Sequence, residues 1–314
     1  MEKLMQRILR ITAIVFLLSL VVFAKFHEPT RLAHTLQKLA HPVTFGAIAL
    51  LFLALPRAKP RRLFGSYVVA FALAVSCGAA TEVAQAFLAR DPSILDVLRD
   101  ALGASTALAG FATLMPGADA RGRSAWRAMG AMLACLGFIV MVTPLSICLA
   151  AYANRDFRFP TLLEACSPLD RYFLSGGNAR VVPSMASTTS PCGSVLQVEL
   201  GRAPYAGITL NEPYPDWRTA HTLVLDRRNP GDFDLSLVVR VHDRAHNDQL
   251  QDRFNHEFTL RAREQREISI PITEIEHAPA SRSMDLAQIA GIIVFRDRGE
   301  TAGNFEVERI LLRR

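Results

Sequence analysis

Five long apolar stretches fill the first half of the chain, at approximately Ile8–Ala24, Leu39–Leu55, Phe64–Leu88, Ile94–Met115 and Ala128–Ala151. Each comes close to the roughly 20 apolar residues that carry a helix across a bilayer core. Ala13–Ala24 and Met129–Leu145 are apolar nearly all round, broken only by Ser19 and Thr143. A helix of a soluble bundle would keep a polar face at helical period. The pattern therefore predicts five membrane-spanning helices. The first begins with Lys3, Arg7 and Arg10 and is followed by Lys25, Phe26 and His27, with no small-x-small cleavage pattern. It reads as an uncleaved span rather than a signal peptide.

From about Asn154 the period changes to two. In Ser194–Leu200, Asp234–His242 and Glu267–Ile272, apolar and polar positions alternate as in half-buried strands. Ala206–Leu210, Thr222–Asp226, Glu257–Arg263, Ile289–Phe295 and Asn304–Leu312 are further strands, separated by turns such as Asn229-Pro230-Gly231. Thr273–Glu276 and Asp285–Gln288 read as single helical turns. Many short strands with little helix predict a β-sandwich or jelly roll. The expected fold class is multi-domain, an all-α five-helix transmembrane domain (1–153) followed, after a linker (154–174), by an all-β sandwich (175–314).

Charge sharpens this division. The chain has 314 residues and a net charge of +6. Residues 1–154 hold 15 basic and 7 acidic residues, whereas residues 155–314 hold 20 arginines against 22 acids. The basic excess belongs to the helical half, which excludes reading the chain as a basic nucleic-acid binder. Within that half it carries an orientation. With the N-terminus inside, cytoplasmic segments hold ten basic residues, most densely at Arg57, Lys59, Arg61 and Arg62, and outer segments hold five. The expected location is a bacterial cytoplasmic membrane, with the sandwich periplasmic or extracellular. Cys166 and Cys192 fall in that outer half and could pair there or remain free thiols.

The ionisable residues of the spans gather at one membrane depth. His41 precedes Pro42 at the entrance of the second span, and Glu82 and Gln85 share a face near the end of the third. Arg90 and Asp91-Pro92 occupy the turn, and Asp96 and Asp100 sit in the first turns of the fourth span beside Arg99. Gly103, Ala107 and Gly110 give that span a small-residue face for close helix packing. Ionisable residues at such depth are functional hypotheses by default. Three readings stay open: interfacial ion pairs, recognition of a charged headgroup or precursor, and acid–base chemistry by His41 and Glu82 or metal-assisted chemistry. No spacing demands catalysis, no zinc-ligand pattern occurs, and no dinucleotide, phosphate-loop or serine-elbow motif is present. No cofactor is implied by any of these patterns.

Two stretches in this region resemble a known family. Lys38-Leu39-Ala40-His41-Pro42-Val43-Thr44-Phe45 is similar to the Lys-x-x-His-x-x-x-Phe signature of VanZ-like membrane proteins. Glu82-Val83-Ala84-Gln85, Arg90, Asp96 to Gly103, and Gly110 are similar to that family's second signature, so the resemblance spans about residues 30–115. Gln37 stands where the family often has Asp, and Asp100 where it usually has Asn. The resemblance implies a cell-envelope setting, since the namesake is associated with glycopeptide resistance, and leaves the reaction open.

The second half resembles galactose-binding-like jelly rolls, which include carbohydrate-binding modules. The likeness lies in the order of Leu235–Asp243, Asp252-Arg253-Phe254-Asn255, Ile268–Ile272, Gly291–Phe295 and Phe305–Leu312. It implies glycan binding on an aromatic-lined face and a structural calcium. Tyr205, Tyr214 and Trp217 are the aromatic candidates, and Asp243, Arg253 and His256 the polar ones. Asp243, His246, Asp248 and Asp252 could hold a cation or form an ordinary solvated loop.

The leading expectation is an envelope protein that recognises a saccharide-bearing component at the outer leaflet. The sandwich would bind sugar, and His41, Glu82, Gln85, Arg90, Asp96 and Asp100 would engage membrane lipid or a lipid-linked saccharide. The alternatives are a membrane-bound enzyme of envelope glycolipid metabolism and a non-catalytic scaffold for another envelope protein.

Overall fold

The structure is a computed structural model and describes residues 1–23, 30–55, 63–87, 92–114, 120–184, 193–297 and 303–314. It divides into two compact units, Met1–Cys148 and Leu149–Arg314.

The first unit contains α1 (Glu2–Phe23), α2 (Arg31–Ala54), α3 (Leu63–Ala86), α4 (Ile94–Leu114) and most of α5 (Ala120–Arg158), within which the division falls. Thr30 caps α2, its hydroxyl accepting from the Ala33 N–H at 3.2 Å. Among the described residues, four segments are long and apolar enough to cross a membrane: Leu4–Val22, Arg31–Ala54, Phe64–Ala86 and Ala125–Arg158. The expected fifth, α4, is not among them, because its first two turns carry Asp96, Arg99 and Asp100. Yet α4 makes the most extensive contact in this unit, against α2, and also packs on α3. Gly103 explains the closeness: a Cβ there would lie 1.9 Å from the Pro42 carbonyl oxygen. Phe45, Ile48 and Ala49 of α2 pack with Ala70 and Ala74 of α3 and with Ala104 and Leu108 of α4.

The second unit is an antiparallel two-sheet sandwich. Its strands are β1 (Thr161–Glu164), β2 (Leu174–Gly177), β3 (Ala179–Ser184), β4 (Val195–Leu200), β5 (Ala206–Asn211), β6 (Thr222–Arg228), β7 (Leu235–Asp243), β8 (Phe254–Leu260), β9 (Gln265–Pro271), β10 (Ile289–Arg296) and β11 (Gly303–Arg313). One sheet has the order β3-β4-β11-β6-β9, with β1 also on β11; the other has the order β2-β5-β10-β7-β8. Leu196, Val198, Leu223, Leu225, Phe305 and Val307 of the first sheet face Ile208, Leu210, Leu237, Val239, Ile292 and Val294 of the second in one core. The short helix α6 (Ile272–Glu276) falls where a helical turn was expected, whereas the second expected turn, Asp285–Gln288, is not helical.

The expected linker 154–174 is structured instead. Residues of α5 belong to the sandwich: Ala151 lies in its core, Asn154 Nδ2 donates to Asp170 at 2.5 Å, Tyr152 bonds to Glu212, and Arg158 pairs with Glu164. Polar residues between α5 and β2 read as a connector in sequence, but they are consumed by these bonds. Cys166 is disulfide-bonded; Cys192, its expected partner, lies outside the described residues.

Candidate functional site

In the helical unit, three helices bring part of the expected cluster together. His41 of α2, Glu82 and Gln85 of α3, and Asp100 of α4 are all buried, and Asp100 is wholly so. Nδ1 of His41 lies 3.3 Å from Oδ1 of Asp100. Asp100 fits there because Gly78 of α3 has no side chain: a Cβ would stand 2.7 Å from Oδ2. Glu82, expected as the partner of His41, does other work. Its Oε2 accepts from the Ser93 N–H at 2.8 Å and so caps α4 from a neighbouring helix. Gln85 donates to the Val21 carbonyl of α1 at 3.3 Å. Asp96 pairs with Arg99 nearer the surface, and Arg90 lies outside the described residues. His41 Nδ1, both Asp100 oxygens and Glu82 Oε1 are buried without an aligned hydrogen bond. A buried ion pair of this kind needs good geometry to offset desolvation. Among the described residues no three His, Cys, Asp or Glu side chains converge tightly enough to hold a metal ion.

In the sandwich, the acidic loop is occupied by an arginine that lies well downstream in sequence. Arg282 donates to Asp243 through Nη1 at 2.5 Å and Nη2 at 2.8 Å, and to Asp252 through Nε at 2.7 Å. Asp243 also accepts from the Asp285 N–H at 2.8 Å, and Asp252 from the Asn247 N–H at 3.0 Å. Burial alone would push the Asp243 carboxyl up, but the Arg282 bonds hold it below the ordinary carboxylate range. The same arginine lowers Asp252. Asp243 is therefore a buried structural anchor rather than an exposed sugar contact, and the Arg282 guanidinium stands between two of the acids, Asp243 and Asp252, that could have held a cation. His246 Nδ1 donates to the Asp252 carbonyl oxygen at 3.0 Å, and the fully exposed Asp248 carboxylate lies 3.8 Å from its Nε2.

Trp217 is likewise a correction. It is wholly buried, and its indole N–H donates to the Tyr214 carbonyl at 2.7 Å. Tyr214 packs its ring 4.2 Å from Phe159 at the edge of the core. His256 pairs across strands with the core residue Val239, so it shares the inward face with Phe254 and Phe258.

The register of the five-stranded sheet assembles a different surface. Arg240 of β7 pairs with Asn255 of β8 and with Ile293 of β10, which pairs with Thr209 of β5, which pairs with Ser175 of β2. This row alternates with core residues and therefore points away from the core. Phe295 lies in the next outward row, beneath Arg240, whose Cζ is 4.5 Å from the ring centroid. Tyr205 stands at the edge, 60% exposed, its ring 5.9 Å from Phe295. Polar groups on this face are fixed to one another: Arg240 Nε to Asn255 Oδ1 at 2.9 Å, and Asn211 Nδ2 to Ser175 Oγ at 2.9 Å. Arg253 immediately precedes β8, two residues before Asn255, and so joins this face. His242 lies flat over Gly291, where a Cβ would stand 2.5 Å from the ring. Burial, with smaller contributions from His246 and Arg240, pulls His242 down to about 4.

Of the sequence candidates, Tyr205 and Arg253 reach this open face. Arg240, Asn255, Thr209, Asn211 and Ser175 were missed. Period-two alternation marked Arg240 and His242 as outward residues of their strand, but only the strand order shows which outward residues become neighbours.

No protein-family model matches the chain, and no curated protein matches it. The similarity of residues 30–115 to VanZ-like proteins therefore gains no support from a family model. Among solved structures, the chain is similar to a family 11 carbohydrate-binding module from Clostridium thermocellum in complex with a β-1,3-1,4-mixed-linked tetrasaccharide, at 17% identity and TM-score 0.39, covering 49% of this chain and 94% of that one. It is also similar to an exo-β-agarase, at 15% identity and TM-score 0.38, covering 45% of this chain and 23% of that one. A third similarity is to a xylan-binding domain of family 22, at 9% identity and TM-score 0.32, covering 45% of this chain and 86% of that one.

Proposed function

We propose that this chain is a membrane-anchored glycan-binding protein of the cell envelope. The observation that carries the reading is the open face of the five-stranded sheet. An exposed tyrosine at its edge offers a flat apolar surface to a sugar ring. Beside it, side chains held by mutual hydrogen bonds present donors and acceptors that need no reordering on binding. Arg240, Asn255 and Asn211 would bond sugar hydroxyls, and Tyr205 would stack on the ring.

The helices would anchor this domain in lipid. We propose that α4 crosses together with the four more apolar helices, because its charge at Asp100 is wholly buried. Five crossings from a cytoplasmic N-terminus leave the sandwich outside the cytoplasm. The disulfide at Cys166 supports an oxidising compartment, and the VanZ-like similarity supports an envelope setting. A periplasm-active reporter fused after Arg314 tests the sidedness, and an inactive fusion refutes it. A glycan array probed with the full chain tests the binding. The Tyr205→Ala variant is expected to bind about tenfold more weakly, a loss of about 1.4 kcal/mol. Unchanged binding by this variant would remove the open face from the account.

One observation favours a second reading, acid–base chemistry within the helices. Asp100 faces Nδ1 of His41 and could orient that imidazole. That reading predicts an activity lost in His41→Ala and sharply reduced in Asp100→Asn.

A further inference from the structure

We infer that the open face takes a saccharide bearing carboxylate or sulfate groups, bound between Arg240 and Arg253. The inference rests on the glycan-binding reading and narrows its ligand class.

Many arginines elsewhere in the sandwich are neutralised by carboxylates. Arg158 pairs with Glu164, Arg218 with Asp216, Arg263 with Asp232, Arg282 with Asp243, Arg309 with Asp226 and Arg313 with Glu267. The two arginines of the open face lack such partners, as does the buried Arg227 of β6, but these two alone are diagonal neighbours on an outward face. Arg240 bonds only the neutral amide of Asn255 and stacks on Phe295. Arg253 is half-buried, and its Nε has no hydrogen-bond partner. Among the described residues neither guanidinium belongs to an ion pair.

Their placement is set by the ladder. Arg240 stands opposite Asn255, and Arg253 lies two residues earlier on the same face. The two are thus diagonal neighbours, with Cβ atoms about 7–8 Å apart or somewhat less. That is close enough for two long cationic side chains to act on one ligand group. Burial, and then the charge of Arg253, hold Arg240 below the ordinary arginine range. Two like charges that repel in this way are stabilised by an anion placed between them. His242, the next outward residue of β7, is held neutral and adds a ring N–H without adding charge. The carboxylates adjacent in sequence, Asp243 and Asp252, are taken by Arg282, and among the described residues neither Glu257 on the outward face of β8 nor Asp297 after β10 is ion-paired with Arg240 or Arg253.

A guanidinium matches a carboxylate or sulfate as a planar fork, and such charge-assisted bonds are about twice as strong as neutral ones. A neutral saccharide would satisfy Asn255 and Tyr205 but leave the positive pair uncompensated. An acidic one uses both arginines.

The test uses the full chain in detergent micelles on an array of neutral, carboxylated and sulfated glycans. The best acidic ligand is then titrated beside its carboxyl-reduced or desulfated form. Acidic glycans are expected to dominate, with the charge-stripped form binding about tenfold more weakly or worse. Arg253→Gln should bind the acidic ligand several-fold more weakly while leaving affinity for the charge-stripped form unchanged, so that the preference for charge narrows. Affinity should fall between about 50 and 300 mM salt, as screening of an exposed charge pair requires. Near-UV circular dichroism confirms that the variant remains folded, and Arg240→Gln provides a second probe if it does not. Binding of neutral glycans with no salt dependence overturns the inference and leaves the glycan reading standing. Absence of binding to any glycan overturns both.

Discussion

Replacing Trp217 separates a core residue from a sugar platform, the two roles its residue type allows. Its side chain is wholly buried, and its indole N–H bonds the Tyr214 carbonyl at 2.7 Å. A buried tryptophan removes about 200 Å² from water, which at about 25 cal/mol per Å² gives an upper limit near 5 kcal/mol. Trp→Ala changes in cores cost about 3–5 kcal/mol, and an orphaned carbonyl adds about 1 kcal/mol. Trp217→Ala should therefore destabilise the sandwich by about 4 kcal/mol, a large share of the 5–15 kcal/mol typical of a domain. Trp217→Phe keeps most of the apolar volume and loses the hydrogen bond, so it should cost about 1–2 kcal/mol. Urea unfolding of the full chain in micelles, followed by near-UV circular dichroism, measures both. Glycan affinity of the folded Trp217→Phe protein should equal that of wild type. A tenfold loss of affinity with stability intact would refute the core assignment.

Arg282→Met should lower the urea midpoint by stranding the buried carboxylate of Asp243. Adding Asp243→Asn should restore part of the loss, which a double-mutant cycle measures. In wild type the depressed Asp243 and Asp252 carboxyls stabilise the fold above about pH 4, and this contribution is lost as pH falls further. For His242 the folded value of about 4 lies below the unfolded 6.5, so the unfolded chain takes up the proton first. Its contribution is complete above pH 6.5 and disappears toward pH 4, at most about 3 kcal/mol, and His242→Asn should flatten the stability profile in that window. Gly103→Ala should separate α2 from α4, because the new Cβ would overlap the Pro42 carbonyl. A lowered melting temperature of the helical unit in micelles checks it, and an unchanged one contradicts the crossing.

The alternation of apolar and polar residues located most of the sandwich. Strands β4, β5, β6, β7, β9, β10 and β11 fall within about two residues of their expected ends, because each buries one face and so must alternate. The first three strands were not legible. They are short, and β2 reads Leu-Ser-Gly-Gly, with too few apolar positions to show a period. β8 (Phe254–Leu260) lies three residues before the expected Glu257–Arg263, and it ends at Leu260 because Arg261–Glu264 forms a turn with Arg263 at φ 59° rather than continuing the strand. In the helical unit, residue type located the polar cluster, but pairing depended on which helices approach. Gly78 admits Asp100 to His41, while Glu82 turns to the start of α4. Arg282 escaped notice because the acids it joins lie 30 and 39 residues away. Loop aromatics gave no directional signal, so Trp217 and Tyr205 looked alike in sequence and proved opposite in burial.

The most direct test of the central claim is the affinity of the full chain in micelles for its best array glycan, compared with that of Arg240→Ala. Arg240 bonds Asn255 and stacks on Phe295 on an outward face and joins no core residue by a hydrogen bond, so its removal should leave the fold intact. The account predicts saturable binding by wild type and a loss of about tenfold or more in Arg240→Ala with unchanged near-UV circular dichroism. Equal affinity of the two proteins would contradict it.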